Sequence, residues 1–316
     1  MTPLDNRHFG FDDIPDQWGK TVLVTGANNG LGLHAATALA GAGATVLLAC
    51  RNLQTGAAAL TRIRKAGGDA EHHLVPLDLT DLSSVRDAAQ HACEVAAQID
   101  VLINNAGLMA VPFGRTTDGF ELQIGTNHFG HFALTGQLLP ALLGAPAPRV
   151  VTLASIAHRR GRIVLDDLNF DRRKYTRMGA YNQSKLANLL FSGELARRSA
   201  AAGLPLLSVA THPGIAATNL FDSMVPPIPG ALAVTHLGLR VIGNDEKDGA
   251  LGQLYAATMP DVRTDDYLGP NDLFGVRGPV ARSPRTGGAR NTKLAAALWE
   301  KSVEVTGVEY TQLARA

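Results

Sequence analysis

Residues 20–32 read Lys20-Thr21-Val22-Leu23-Val24-Thr25-Gly26-Ala27-Asn28-Asn29-Gly30-Leu31-Gly32. The run Thr21 to Thr25 is short, apolar and β-branched, which predicts a buried strand. Leu31 to Ala40 is rich in Ala and Leu and predicts a helix. A strand that enters a helix through glycines allows positive φ and a close backbone approach, and it presents unpaired N–H groups at the positive end of the helix dipole. Such a turn receives a dinucleotide pyrophosphate. Gly26, Asn28, Asn29, Gly30, Leu31 and Gly32 are therefore candidate cofactor contacts. Their spacing is GxxxGxG, not GxGxxG.

Outward from this turn the alternation continues. Ala44 to Cys50, His73 to Leu77, Val101 to Asn104, Arg149 to Leu153 and Leu206 to Ala210 read as further strands. Ala57 to Lys65, Leu82 to Ala97 (opened by Asp81), Phe120 to Leu143 and Ala180 to Ala201 read as helices between them. Apolar strands alternating with helices predict a parallel sheet covered on both faces, a doubly wound α/β fold of the Rossmann type. No linker or repeat divides the 316 residues. One domain is expected, with its cofactor and catalytic core at 19–260, an apolar substrate lid at 215–244 and a C-terminal extension at 261–316. A last helix is expected near Lys293 to Val303.

Composition narrows the function. Hydrophobic residues are 46% and charged residues 18%, enough for a packed core, and the net charge of +1 gives no nucleic-acid footprint. The two cysteines, Cys50 and Cys93, make neither a disulfide framework nor a zinc site. No stretch approaches the ~18 apolar residues of a membrane span. The N-terminus lacks the apolar core of a signal peptide. A cytoplasmic protein without a membrane anchor is expected. His128 and His131 lie at i,i+3 without a third ligand nearby, so packing roles are expected and no metal.

The second strand ends Cys50-Arg51-Asn52, with no Asp or Glu between Asp16 and Asp69. A carboxylate there would bind the ribose 2′-hydroxyl of NAD, whereas Arg51 can pair with a 2′-phosphate. NADP(H) is the expected cofactor, with NAD(H) as the alternative, and Arg51 and Asn52 are candidate contacts.

Of five tyrosines, only Tyr181 has a lysine four residues on, Lys185. On a helix the two share a face, and an ammonium beside a phenol lowers its pKa. Proton exchange with a substrate oxygen is then expected. Ser155 ends the fifth strand, where open α/β sheets bind ligands. Asn127 stands inside a helix, an unfavourable place for asparagine unless its amide has a task.

These elements occur in the order TGANNGLG, ACRN, DL, NNAG, the Asn127 helix, Ser155, YNQSK and HPG, from Thr25 to Thr218. In that order the chain resembles the short-chain dehydrogenase/reductase family. NHFGHFALT, SIAHRRG and YNQSKLANLLF look most like its retinol dehydrogenase-like branch. The resemblance implies that Asp78 and Leu79 meet the adenine and that Asn105, Ala106 and Gly107 carry the adenosine side. It implies that Pro213, Gly214, Ile215 and Thr218 hold the nicotinamide carboxamide, with Tyr181 and Lys185 at the nicotinamide ribose. Asn127 would hold a proton-relaying water, Ser155 would polarise the substrate, and Tyr181 would act as the acid. The family has two small polar residues where this chain reads Ala154-Ser155. The expected reaction interconverts a ketone or aldehyde and an alcohol on an apolar, medium-to-large substrate. Two alternatives are an NADPH-binding regulator or scaffold on this fold and a reductase of activated C=C bonds; the Asn-Ser-Tyr-Lys set argues against a pure binder. The resemblance allows a homo-oligomer, although the C-terminal extension can cover the surface used for it.

Overall fold

The computed structural model describes residues 4, 8–68, 70–214 and 245–313. The expected lid at 215–244, with Ile215 and Thr218, lies outside the described residues.

Strand β1 (Thr21–Thr25) leads into helix α1 (Gly30–Gly41), β2 (Thr45–Cys50) into α2 (Leu53–Gly67), and β3 (His73–Pro76) into α3 (Leu82–Val95). Next come β4 (Val101–Asn104), a short helix α4 (Leu122–Ile124), a π-helical turn over Gly125–Phe129, and α5 (Gly130–Leu143). Strand β5 (Arg149–Leu153) is followed by two 3-10 turns and the long helix α6 (Arg177–Ala201). After β6 (Leu207–Thr211) lie α7 (Glu246–Gly249), α8 (Leu251–Thr258), β7 (Tyr267–Asp272), β8 (Arg277–Arg282) and α9 (Thr292–Thr306).

Local chemistry sets several helix starts. Asn52 Oδ1 accepts from Thr55 N at 3.0 Å and caps α2, and Asp81 Oδ1 accepts from Ser83 N at 2.8 Å and caps α3. Thr176 Oγ1 accepts from Gly179 N at 3.1 Å and starts α6 three residues earlier than its apolar pattern. Buried Glu121 accepts from the amides of Gln123 and Ile124, which places the start of α4 two residues past Phe120.

The sheet order is β3-β2-β1-β4-β5-β6-β7-β8. All pairs are parallel except β7 with β8. The order in which successive strands join the sheet reverses between β1 and β4, so a crevice opens at the carboxyl ends of these two parallel strands. The two-residue period of the strands divides the core. Val22, Val24, Val46 and Leu48 face α1, α2 and α8, joining Leu39, Ile63, Leu254 and Tyr255. Leu23, Leu47 and Leu102 face the other layer with Phe132, Leu138 and Phe191. Full burial of each such side chain contributes roughly 1.5–3 kcal/mol.

Helix α9 belongs to that second layer. Trp299 stacks on Phe191 at 5.9 Å, and Tyr310 donates to the Phe132 carbonyl at 2.7 Å. His128 is thereby a packing residue: its Nε2 lies 2.9 Å from Ser302 Oγ.

Candidate active site

The crevice is a cleft of about 840 Å³ lined by loops at the carboxyl ends of β1, β2, β3, β4, β5 and β6. It brings together Gly26, Asn28, Asn29, Gly30, Leu31, Gly32, Arg51, Asn52, Asp78, Leu79, Asn105, Ala106, Gly107, Ser155, Tyr181, Lys185, Pro213 and Gly214. Asn127 stands directly behind this lining.

One end is a backbone cradle. Gly30 has φ +50, and a Cβ there would meet nothing within 4 Å, so it would project into the open cleft. At Gly32 a Cβ would meet Asn105 Nδ2 and the Gly26 carbonyl, each at 2.5 Å. The turn therefore packs at backbone distance on the β4 loop and leaves the α1 N-terminus uncovered. That shape and dipole fit a pyrophosphate.

Thr25 ties the two loops. His131 is fully buried, which pulls its pKa down to about 4, so its ring is neutral. Nδ1–H donates to the Asn127 carbonyl at 3.0 Å, leaving Nε2 to accept from Thr25 Oγ1 at 2.9 Å. Thr25 Oγ1 in turn accepts from Asn105 N at 2.9 Å and Ala106 N at 3.0 Å. Asn105, just past β4, returns the link, its Nδ2 donating to Thr25 O at 2.8 Å. Thr25 was not among the candidate site residues and His131 was expected only to pack; their positions at a strand end and one helical turn after Asn127 are the sequence hints of this link.

At the carboxyl ends of β2 and β3 the Arg51 side chain is 69% exposed, with Nη1 3.9 Å from Asp78 Oδ2. Asp78 Oδ1 also accepts from Thr80 N at 2.9 Å, so this carboxylate shapes its own loop while facing the cleft. Asn52 spends its Oδ1 on the α2 cap.

The other end holds the polar set. Lys185 is 3% exposed, and Nζ donates to the Leu153 carbonyl at 2.9 Å. Asn188 Nδ2 donates to the same carbonyl at 3.1 Å. Burial lowers the Lys185 pKa to about 8. Its ammonium lies 5.8 Å from the centre of the Tyr181 ring. The sequence suggested a phenol made more acidic by this lysine. In the protein, burial dominates and raises Tyr181 to about 12, while a hydrogen bond with Ser155 pulls the other way. Ser155 caps the 3-10 turn Ile156–Arg160, its Oγ accepting from Ala157 N at 3.2 Å. Asn127 sits in the π-helical turn, a distortion that re-aims side chains at functional sites. Its Oδ1 accepts from Leu108 N at 2.7 Å, and its Nδ2 donates to Leu108 O and to Ser184 Oγ, both at 2.9 Å.

Among the described residues no group of three or more His, Cys, Asp or Glu is placed to hold a metal ion. Among the same residues no helix is long and apolar enough to cross a membrane.

The family model for short chain dehydrogenase matches residues 20–227. Retinol dehydrogenase 13 of Homo sapiens is 47% identical over 204 residues, which is 64% of this chain and 60% of that protein. Retinol dehydrogenase 12 of Bos taurus is 43% identical over 296 residues, 93% of this chain and 88% of that protein. A crystal structure of a protein from Mycobacterium paratuberculosis superposes with TM-score 0.79 at 44% identity, covering 96% of this chain and 98% of that one. The Pseudomonas aeruginosa RhlG/NADP active-site complex superposes with TM-score 0.60 at 25% identity, covering 80% and 94%. With the glycine turn, the strand-end loops and the Tyr181–Lys185 helix all in place around one cleft, the chain belongs to the short-chain dehydrogenase family of oxidoreductases, in its retinol dehydrogenase-like branch.

Proposed function

We propose that the protein is an NADPH-dependent carbonyl reductase, equally able to run as an alcohol dehydrogenase, acting on apolar aldehydes or ketones of medium to large size. The observation that carries this reading is the convergence of Ser155, Tyr181 and Lys185 on one cleft that also holds the glycine cradle and Arg51.

Bound NADPH supplies the hydride. Gly30, Leu31 and Gly32 hold its pyrophosphate on the α1 N-terminus, and Arg51 pairs with the 2′-phosphate. Asp78 and Leu79 border the adenine, with Asn105, Ala106 and Gly107 on the adenosine side. Pro213 and Gly214 stand at the nicotinamide end. Ser155 and the Tyr181 hydroxyl hydrogen-bond the substrate oxygen. As the carbonyl carbon gains hydride, the oxygen takes the phenolic proton, which is in place because the free phenol stays protonated far above neutral pH. Lys185 binds the nicotinamide ribose, and its charge stabilises the phenolate left behind. Asn127 fixes the floor of the site through Leu108.

Substrate class follows from the wall opposite the cradle. Met109, Val111, Ile156, Ala157 and Met178 line it, an apolar surface that favours apolar ligands. Two free thiols, Cys50 buried and Cys93 exposed, fit a reducing compartment such as the cytoplasm.

The test is nicotinamide absorbance with NADPH and NADH against a series of aldehydes and ketones. Faster turnover with NADPH, increasing with apolar chain length, is expected. Faster turnover with NADH would refute the role of Arg51, and a preference for short polar carbonyls would refute the substrate class.

A further inference from the structure

Residues 108–111 form the wall of the cleft beside Tyr181. Leu108, Met109 and Val111 line it, and Met109 and Ala110 pack with the Tyr181 ring. The segment has no helix or strand of its own. Its shape must therefore come from side chains supplied by other elements.

Three side chains supply it. Asn127 takes both main-chain polar groups of Leu108. Gln123, fully buried, accepts from Ala110 N through Oε1 at 2.8 Å. The Tyr175 hydroxyl donates to the Val111 carbonyl at 2.9 Å and accepts from Gln123 Nε2, also at 2.9 Å. The remaining Gln123 amide hydrogen goes to the Arg177 carbonyl at 3.0 Å. Ala110 has φ +52, a left-handed conformation that a residue with a side chain adopts only when its surroundings impose it. The Gln123 bond falls on that residue.

Tyr175 is itself held by neighbours that include the arginine-rich segment 166–174 just before α6. Its ring packs edge-on against Phe113 at 5.2 Å and Phe170 at 5.4 Å. Arg173 lies over Phe170 at 3.9 Å and pairs with buried Asp167 at 3.2 Å. Asp167 anchors the loop, accepting from the amides of Asp171, Arg172 and Arg173. A continuous set of contacts thus runs from Asp167, Phe170 and Arg173 through Tyr175 and Gln123 to the wall, while neither Tyr175 nor Gln123 lines the cleft.

We infer that Gln123 and Tyr175 are positioning residues which set the substrate wall, Leu108 to Val111, and thereby the enzyme's discrimination among substrates by size. The inference rests on the carbonyl-reductase reading above. Gln123→Met keeps the volume and removes the amide; Tyr175→Phe removes one oxygen at a half-buried position and is the milder change. Hydrogen exchange of the peptide spanning 107–113 and the kcat/KM ratio for decanal over propanal are measured in both, beside NADPH affinity.

Faster exchange in that peptide is expected, with no change across residues 101–104. The decanal KM should rise roughly three- to tenfold in Tyr175→Phe, the scale of one lost hydrogen bond, and at least as much in Gln123→Met, which loses the bonds to Ala110, Tyr175 and Arg177, while kcat for propanal and the NADPH Kd stay within about twofold. Unchanged exchange in Tyr175→Phe would overturn the inference. So would faster exchange with an unchanged decanal-to-propanal ratio, or an equal loss on both aldehydes and NADPH. Faster exchange in a chain whose wild type reduces neither aldehyde would sink the reductase reading and leave the brace standing.

Discussion

Both main-chain polar groups of Leu108 end on one side chain, that of Asn127, with N–H to Oδ1 at 2.7 Å and Nδ2 to the carbonyl at 2.9 Å. A Cβ on neighbouring Gly107 would stand 3.0 Å from the same Oδ1 and 3.6 Å from Lys185 Nζ. Leu108, at the end of the cleft that holds Tyr181 and Lys185, is thus held at both main-chain groups by one amide. Asn127→Ala removes the partner of both half-buried main-chain groups of Leu108, at a cost of about 1–3 kcal/mol. Thermal unfolding should shift down by several degrees, and turnover should fall further than stability alone explains. An unchanged melting temperature would show that the bonds to Leu108 carry no weight.

Lys185 makes the pH dependence specific. Burial lowers its pKa from 10.5 to about 8, so between those values the folded chain binds fewer protons than the unfolded one. Stability then rises with pH across that window, and the burial penalty is complete below it. Lys185→Met should unfold at higher temperature near neutral pH, by roughly 2 kcal/mol after losing the bond to Leu153, with the gain fading toward pH 10. The same variant should lose turnover. In the wild type, kcat/KM for reduction should fall as pH rises through about 8, because the ammonium is lost there while Tyr181, raised to about 12, keeps its proton. A rate that climbs through pH 8 would contradict this assignment.

Arg51 is exposed and meets Asp78 only at 3.9 Å, which leaves most of its donors for a ligand. Arg51→Ala should weaken NADPH about 10- to 100-fold, the range of a lost charge-assisted contact, and leave NADH nearly unchanged. Calorimetric titration with both cofactors measures it. Equal weakening of the two would remove the basis for NADPH preference.

Trp299 on α9 packs against Phe132, Phe191 and Tyr310, with Arg198 over its ring at 4.7 Å. Trp299→Ala should destabilise by about 3–5 kcal/mol in denaturant unfolding. A midpoint equal to the wild type would mean that this helix is an appendage to the core.

Much of this was legible in the sequence because the signals are local. Val101–Asn104 and Arg149–Leu153 are apolar runs bounded by polar residues and coincide with the strands. Asp81 announces its helix by its own chemistry. The pair β7 and β8 was missed because Gly269, Pro270, Arg277, Gly278 and Pro279 break the apolar pattern: β8 is the edge strand, which tolerates such residues, and Pro270 of β7 lies past the two residues that pair with β6. The glycine turn and the strand-end residues of the cleft were legible from their place after apolar runs, and Tyr181 and Lys185 from their four-residue spacing on α6, whereas Met109, Val111 and Met178 carry no local mark. The brace was not legible. Gln123 meets Ala110 across 13 residues and Tyr175 meets Val111 across 64, and no local pattern records such contacts. The direction of the Tyr181 shift was misread for a similar reason: the nearby lysine is visible in the spacing, whereas the desolvation that outweighs it depends on the whole packed site.

The most direct test of the account is single-turnover hydride transfer from NADPH to an apolar aldehyde in wild type and Tyr181→Phe, with NADPH affinity measured on the same samples. The expected result is NADPH binding within about twofold and a transfer rate lower by roughly 10²- to 10⁴-fold, the contribution of a positioned acid. A variant that transfers hydride within tenfold of the wild-type rate would contradict Tyr181 as the proton donor.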